Sequence, residues 1–333
     1  MSALERLPIS SLEEGMAITG SSACYLLVRR ATLKSGKNST RYLDLDLYDG
    51  TAGINGKVWE VTPELERLTE AGAVIQVTKG RVARYQSSLQ LVIDAAAPVD
   101  PAVLDRLPGI VPESSQSADE LTARWRRLAD LLDPPRRAVI SEFEASGQVW
   151  DLFRSIPAGK SMHHNYRRGL WEHSMNVAEL AHDIAKRYED RYPVNRMQVL
   201  LGAMVHDVGK VFEFQVNAST SVVERYSDGG KLLGHVYMGA VFIEKMLKKA
   251  LPNDAALRME LLHIMLSHHG EYDFGSPKRP KTMDALLVSM VDNLDANLDA
   301  VQIGLQGEMD ENWTKTIFSL QRPFYKTSGP YEE

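Results

Sequence analysis

The stretch LLGAMVHDVGKVFEF, residues 200–214, decides how the rest of the chain is read. An apolar run from Leu200 to Val205 delivers His206 and Asp207 side by side, and Gly209 and Lys210 follow. Burying a polar group without a partner costs roughly 2–7 kcal/mol, and an unpaired charge costs more. Solvent at a helix end would relieve that cost, but the apolar neighbours Val205 and Val208 argue that the pair is buried. Something must then compensate it, and a metal ion is the obvious candidate.

Outward from this stretch the pattern is helical almost throughout, from Glu120 onward. DELTARWRRLADLL stops at Pro134–Pro135, and RRAVISEFEASG follows. Periodic segments of helical length then run over 169–188, 195–208, 235–251, 254–267 and about 282–301. Seven of the nine histidines fall in or beside four short stretches: SMHHNYRRGLWEHS, VHDVGK, LLGHVYMG and LSHHGEYDFGSP. Imidazole and carboxylate together make a shell suited to a divalent first-row metal, and helices packing around one point would bring scattered ligands together. His173 shares a face with Val177, Leu180 and Ile184, so it points inward. His182 reads as solvated and His263 as structural. His268 and His269 read equally as ligands or as a helix C-terminus whose dipole favours a cation. In VDNLDANLDA, Asp292, Asp295 and Asp299 share one helix face. Asp292 emerges directly from the apolar ALLVSMV and reads as a ligand, Asp295 as a support behind the ligands, and Asp299 as surface.

The first hundred residues read differently. MAITGSSACYLLVRRATLKSG, TRYLDLDLYDG and INGKVWEV are strand-like, and TPELERLTEAG starts a helix with Thr62 as N-cap and Pro63 at the first position. AVIQVTKGRVARY and SLQLVIDAAAPV add two more strands. Strand, strand, strand, helix, strand, strand is the order of an OB-fold, a small five-stranded barrel whose strand 2–3 face often binds oligonucleotides. Tyr25, Tyr42, Trp59 and Tyr85 are candidate stacking platforms, and RRATLKSGKNSTR supplies Arg29, Arg30, Lys34, Lys37 and Arg41. Each aromatic taken alone reads more readily as packing; the group beside a basic loop is the better signal. The Pro, Ser and acidic residues of 100–119 read as a linker. The expectation is therefore a two-domain α+β chain: an N-terminal five-stranded OB-fold barrel over 1–99, an all-α bundle over 120–310, and an unassigned tail over 311–333.

Composition sets bounds on function. With 333 residues, 44% hydrophobic and 25% charged, the chain is ordinary for a globular protein of two domains. A net charge of −6 argues against a surface coated in basic residues, though not against a local basic groove. The single cysteine, Cys24, excludes an intramolecular disulfide and a cysteine-cluster zinc site, and it fits a reducing cytoplasm. No secretory pattern opens the sequence and no run suits a bilayer, so a cytoplasmic location without a membrane is expected. A homo-oligomer is compatible with all of this.

The order His173, His206-Asp207, Asp292 resembles the H…HD…D signature of the HD-domain metal-dependent phosphohydrolases. HHNYRRGLWEHS, GAMVHDVGK, LLGHVYMG and SHHGEYDFGSPKRPKTMDALLVSMVDNLDA, behind an OB-like segment, resemble the YhaM-type 3′→5′ exoribonucleases. The likeness covers nearly the whole chain apart from the linker and the tail. It implies phosphodiester hydrolysis with one or two divalent ions, Mn²⁺ first and Fe²⁺, Co²⁺, Ni²⁺ or Mg²⁺ behind it. His173, His206, Asp207 and Asp292 would hold one ion, and Asp207 would bridge to a second held by His235, His268 and His269. Asp207 and Lys210 would be catalytic, the lysine offsetting phosphate charge. His164, Tyr166 and Arg167 would contact substrate near the metals, and Tyr25, Arg29, Tyr42 and Trp59 would hold a single strand, with RNA favoured. Arg167, Arg168 and Trp171 depart from the small residues expected there, which bears on substrate length. Ser276 replaces the tyrosine of the HD-GYP cyclic-dinucleotide phosphodiesterases. Two rivals stand beside the exonuclease: a nucleotide or cyclic-dinucleotide phosphohydrolase, and a nucleic-acid-binding protein with a structural metal site.

Overall fold

In RYLDLDLY, residues 41–48, Leu43, Leu45 and Leu47 are buried and the residues between them are not. That period-two pattern belongs to a strand with one covered face, and it sets the architecture of the N-terminal part. The computed structural model describes residues 4–36, 40–160, 164–307 and 309–327. It divides into two compact units, Met1–Glu113 with Gln215–Arg225, and Ser114–Phe214 with Tyr226–Glu333.

In the first unit, β1 (Ala17–Ser35), β2 (Arg41–Tyr48), β3 (Gly53–Val58), α1 (Pro63–Leu68), β4 (Val74–Tyr85) and β5 (Ser88–Pro98) follow the expected order. The strands close into a barrel in the order β1-β2-β3-β5-β4, which is the OB topology. The long β1 pairs with both β2 and β4, and register shifts at Thr19–Cys24 and Val28–Arg30 bend it between its two neighbours. Leu26, Val28, Leu45, Leu47, Val58, Ile75, Val77, Leu91 and Ile93 fill the interior, each at most 1% exposed. Full burial of such side chains is worth about 1.5–3 kcal/mol each. The Thr62 hydroxyl accepts from the Leu65 amide at 3.2 Å, with Pro63 opening α1.

The expected linker is corrected here. Residues 100–113 belong to the barrel unit: α2 (Pro101–Leu104) leads to Leu107 and Ile110, 2% and 1% exposed, which pack with Leu27. Polar composition masked two well-spaced apolar anchors.

In the second unit, α3 (Ala118–Leu131), α4 (Pro134–Glu144) and α5 (Gln148–Ser155) gather Trp125, Phe143, Trp150 and Phe153, with ring centroids 5.0–6.2 Å apart. Ser117 and Glu120 form a capping box at the start of α3. α6 (Gly169–Tyr188) and α7 (Arg196–Val205) follow. Every residue of α7 from Gln198 to Val205 is buried, so this helix is the centre of the bundle. A Cβ on Gly202 would meet Ile264 at 2.9 Å, a measure of how closely the neighbouring helix packs. A short α8 (Lys210–Glu213) leads into a hairpin of β6 (Phe214–Val216) and β7 (Val223–Tyr226), which the sequence reading did not anticipate. Residues 215–225 pack within the barrel unit: the Thr220 hydroxyl donates to the Gly72 carbonyl at 2.9 Å, and Val222 joins the cluster of Leu27, Leu107 and Ile110. The bundle resumes with α9 (Asp228–Ala250), α10 (Ala255–Ser267) and α11 (Met283–Gln306). The tail then turns back through β8 (Met309–Asp310) and β9 (Trp313–Thr314), which brings Ile317 against Gly304. Among the described residues, no helix is long and apolar enough to cross a membrane.

Candidate metal centre

Four helices and one turn converge on a single point. α6 carries His173, the turn after α7 carries His206 and Asp207, α9 carries His235, the end of α10 carries His268 and His269, and α11 carries Asp292. The turn after α7 can approach α9 only because residue 209 is glycine. A Cβ there would lie 1.9 Å from the His235 carbonyl oxygen and 2.7 Å from the Gly239 nitrogen. This backbone contact holds Asp207 and His235 at working distance.

The ligand atoms fall into two sets that share one carboxylate. In the first, His173 Nε2 lies 3.3 Å from His206 Nε2, 3.6 Å from Asp207 Oδ2 and 3.1 Å from Asp292 Oδ1. His206 Nε2 lies 3.4 Å from Asp207 Oδ2 and 3.6 Å from Asp292 Oδ1. In the second, Asp207 Oδ1 lies 3.5 Å from His235 Nε2 and 3.6 Å from His268 Nε2, while His235 Nε2 and His269 Nε2 are 3.1 Å apart. Ligands bonded at about 2.1 Å around one ion are separated by roughly 3.0–3.4 Å, so this spacing suits a cation at the middle of each set.

The hydrogen bonds behind these atoms fix which nitrogen faces inward. His206 Nδ1 donates to the Ala203 carbonyl at 2.8 Å, His268 Nδ1 to Met265 at 2.7 Å and His269 Nδ1 to Phe274 at 2.8 Å. His173 Nδ1 donates to Asp295 at 2.7 Å, and His235 Nδ1 to both oxygens of Glu213 at 3.1 Å. Each acceptor takes a proton on Nδ1, so each Nε2 is the nitrogen turned to the centre. His235 and His269 thus meet Nε2 to Nε2, and so do His173 and His206. Asp207 Oδ1 and His268 Nε2 are buried with no hydrogen-bond partner among the described residues. Unpartnered donor atoms of this kind, in a nitrogen and oxygen shell, fit divalent cations.

The titration behaviour of the protein alone agrees. Burial disfavours a charge on His206, but Asp207 and Asp292 outweigh it and push the pKa up to about 10. Asp207 is held well below the carboxylate range against burial, by Lys210 and His206, and Asp292 likewise by His173 and His206. Protons thus bridge the first set where a cation would. His269 goes the other way: burial, with His268 and His235 beside it, pushes it down to about 3. A neutral His269 facing His235 suits a cation between them.

Several expected site residues take other places. Lys210 is buried, its ammonium 2.6 Å from Asp207 Oδ2, so it braces the shared carboxylate rather than reaching outward. His164 is buried and turned to the protein: the Tyr166 hydroxyl lies 2.7 Å from its Nδ1, and its Nε2 lies 2.8 Å from the same Asp295 oxygen that holds His173. His164 and Tyr166 are thus tied to the group behind His173, His164 through Asp295 and Tyr166 through His164. Arg167 lines a cleft with Arg154, Arg168 and Trp171 at the start of α6. Asp299, expected at the surface, accepts the backbone N–H of His164 at 2.6 Å. Leu180 is 37% exposed, so the buried face of α6 runs through Ser174, Val177, Ala178 and Ala181 instead. His182 is mostly covered, and His263 is structural, accepting the Lys281 amide at 2.8 Å. Glu213 and Asp299 were missed; only their i+6 and i+7 places after motif residues could have pointed to them.

On the barrel, Tyr42, Asp44 and Asp46 of β2 and Asn55 and Lys57 of β3 face outward, and Trp59 follows, half exposed. The rings of Tyr42 and Trp59 lie 4.8 Å apart at 33°, with the Lys57 ammonium 5.4 Å from the Tyr42 centroid. Much of the basic charge expected here is paired: Lys34 and Lys57 hold Asp44, and Arg29 holds Asp46 at 2.9 Å. Lys37 lies outside the described residues. Tyr25 is partly buried and packs against Leu27, Leu107 and Ile110. Tyr85 is exposed at the end of β4, away from the Tyr42–Trp59 pair in sequence.

The HD-domain family model matches residues 170–297, a span that contains all seven converging ligands. The helical unit therefore carries an HD domain, the domain of metal-dependent phosphohydrolases. Among solved structures, the chain is similar to the second OB-fold domain of replication protein A from Methanococcus maripaludis. That match has 22% identity over 29% of this chain and 96% of that one, with a TM-score of 0.20. It is similar also to the mitochondrial single-stranded DNA-binding protein Rim1 of S. cerevisiae, with 24% identity over 26% and 94% and a TM-score of 0.20. A third is the HD domain of the L. monocytogenes phosphodiesterase PgpH, with 20% identity over 42% and 69% and a TM-score of 0.26.

Proposed function

We propose that this protein hydrolyses phosphodiester bonds of single-stranded nucleic acid from the 3′ end, with RNA the favoured substrate and the barrel holding the strand. The observation that carries the reading is Asp207. One buried carboxylate turns Oδ2 to one ligand set and Oδ1 to another, the arrangement of a site for two ions rather than a closed structural one. Mn²⁺ is the first ion to try. Divalent ions held there supply Lewis acidity, offsetting phosphate charge and lowering the pKa of the attacking water.

The chain's own residues do the rest. His173, His206, His235, His268 and His269 are each locked with Nε2 inward, so no imidazole must reorient when substrate arrives. Lys210 keeps Asp207 ionised and in place. On the barrel, Tyr42 and Trp59 offer faces to unpaired bases, each stack worth about 1–3 kcal/mol with little sequence preference. With Asp44 and Asp46 neutralising the nearby cations, that face would select bases by stacking more than phosphates by charge.

The test is hydrolysis of 3′-labelled and 5′-labelled single-stranded RNA, and the matching DNA, with Mn²⁺, using wild type beside Asp207→Ala. Stepwise shortening from the 3′ end that disappears in the variant supports the proposal. Intact RNA and DNA with several divalent metals, alongside turnover of a cyclic dinucleotide or a mononucleotide, would overturn it.

A further inference from the structure

We infer that Glu213 is the positioning residue that builds the second metal position, and that this position fills with lower affinity than the first and depends on Glu213 for the affinity it has. The inference rests on the two-ion reading of Asp207. Glu213 is buried, at the end of α8, six residues after Asp207. One oxygen accepts the backbone N–H of His235 at 3.0 Å, and both lie 3.1 Å from His235 Nδ1.

The fold makes room for this contact at two glycines. Gly234 has φ +73° and ψ 156°, which breaks α9 just before His235. The break leaves the His235 N–H without the carbonyl it would meet in a continuous helix, and the Glu213 carboxylate takes that place. A Cβ on Gly230 would fall 2.6 Å from the Glu213 carbonyl oxygen and 2.9 Å from its Cγ. Glu213 thus fixes both the backbone and the ring of His235 and aims Nε2 at Asp207 Oδ1.

The first position has its counterpart in Asp295, which holds the His173 ring through Nδ1. The two positions differ in their carboxylates. Among the described residues, the first set contains Asp207 and Asp292, whereas the second has only its share of Asp207 beside three imidazoles. The second position therefore depends on Glu213 for ligand basicity, since a carboxylate behind an imidazole strengthens it as a ligand. Lower charge also makes the second position the weaker for a hard ion such as Mn²⁺.

The measurement is Mn²⁺ binding to metal-free full-length protein by calorimetry, with paramagnetic resonance to separate a coupled ion pair from a single ion. Wild type is compared with Glu213→Gln, which keeps the shape and one acceptor oxygen, and with Asp295→Asn. Two unequal binding events are expected in wild type. In Glu213→Gln the weaker event should lose roughly 10–100-fold in affinity and the coupled signal should vanish, with the tighter event unchanged. In Asp295→Asn the tighter event should weaken instead. Equal weakening of both events by Glu213→Gln, or no change, would overturn the role of Glu213 while leaving the two-ion site standing. Fewer than two ions bound to wild type would instead defeat the two-ion reading itself.

Discussion

Gly209 is not itself a candidate ligand, yet the structure makes Gly209→Ala a severe test of how the centre is assembled. The added Cβ would lie 1.9 Å from the His235 carbonyl oxygen and 2.7 Å from the Gly239 nitrogen. Relaxed contacts of this kind settle near 3.4 Å, so α9 would have to retreat by roughly 1.5 Å. The 3.5 Å spacing of His235 Nε2 and Asp207 Oδ1 would open toward about 5 Å, whereas metal–ligand bonds tolerate only about 0.2 Å. The second ion should therefore bind at least 100-fold more weakly. Overpacking a core of this kind costs about 1–3 kcal/mol, a fall in Tm of roughly 2–10 °C. Gly229→Ala, whose nearest neighbour is the flexible Met238 methyl at 3.3 Å, should change Tm little and is the control. Thermal melts and calorimetric Mn²⁺ titrations of the two variants provide the assay. A Gly209→Ala protein that melts with wild type and binds two ions normally would refute the claim that this backbone contact sets the site.

Other outcomes follow from single features. Trp59→Ala should weaken binding of single-stranded RNA by about 1–3 kcal/mol, read as a 5- to 150-fold rise in Kd by fluorescence anisotropy, with Tm unchanged; Tyr25→Ala should instead lower Tm, because its ring packs with Leu27 and Ile110. Metal uptake must displace the proton that His206 holds below about pH 10, so affinity should rise with pH and fall by about tenfold per unit from that proton alone as pH drops. Titrations in buffers of differing ionisation heat would count the protons released, and a count of zero would contradict the assignment. Burial, with Asp49 nearby, pushes the Cys24 thiol up to about 12, so it should resist a thiol reagent at neutral pH until denaturant is added.

Much of this was legible in the chain because periodic signals are local. Alternating leucines in β2, the Thr62–Pro63 start of α1 and the bounds of α6 each follow from neighbours within a few residues. The residues that converge at the candidate centre were legible because His206 and Asp207 end an apolar run and Asp292 leaves another. What escaped was set by distant packing. His164 and Tyr166 resemble substrate contacts until Asp295, more than 120 residues later, is seen to occupy the His164 ring. Asp299 looked like one more acidic residue on a helix, because the His164 amide it accepts cannot be inferred from spacing. Lys210 follows the motif closely in sequence, but its direction, toward Asp207, depends on burial that no pattern encodes.

The hairpin that leaves the helical unit and packs in the barrel unit has a practical consequence. The chain passes between the two units at three points, near 113, 214 and 225, not one. No single cut yields two whole pieces. A fragment ending at 113 would lack Val222 over Leu27, Leu107 and Ile110, and the complementary fragment would carry an orphan loop. Anyone wishing to study the barrel alone should graft residues 215–225 back onto it, and anyone wishing to study the bundle alone should replace them with a short turn.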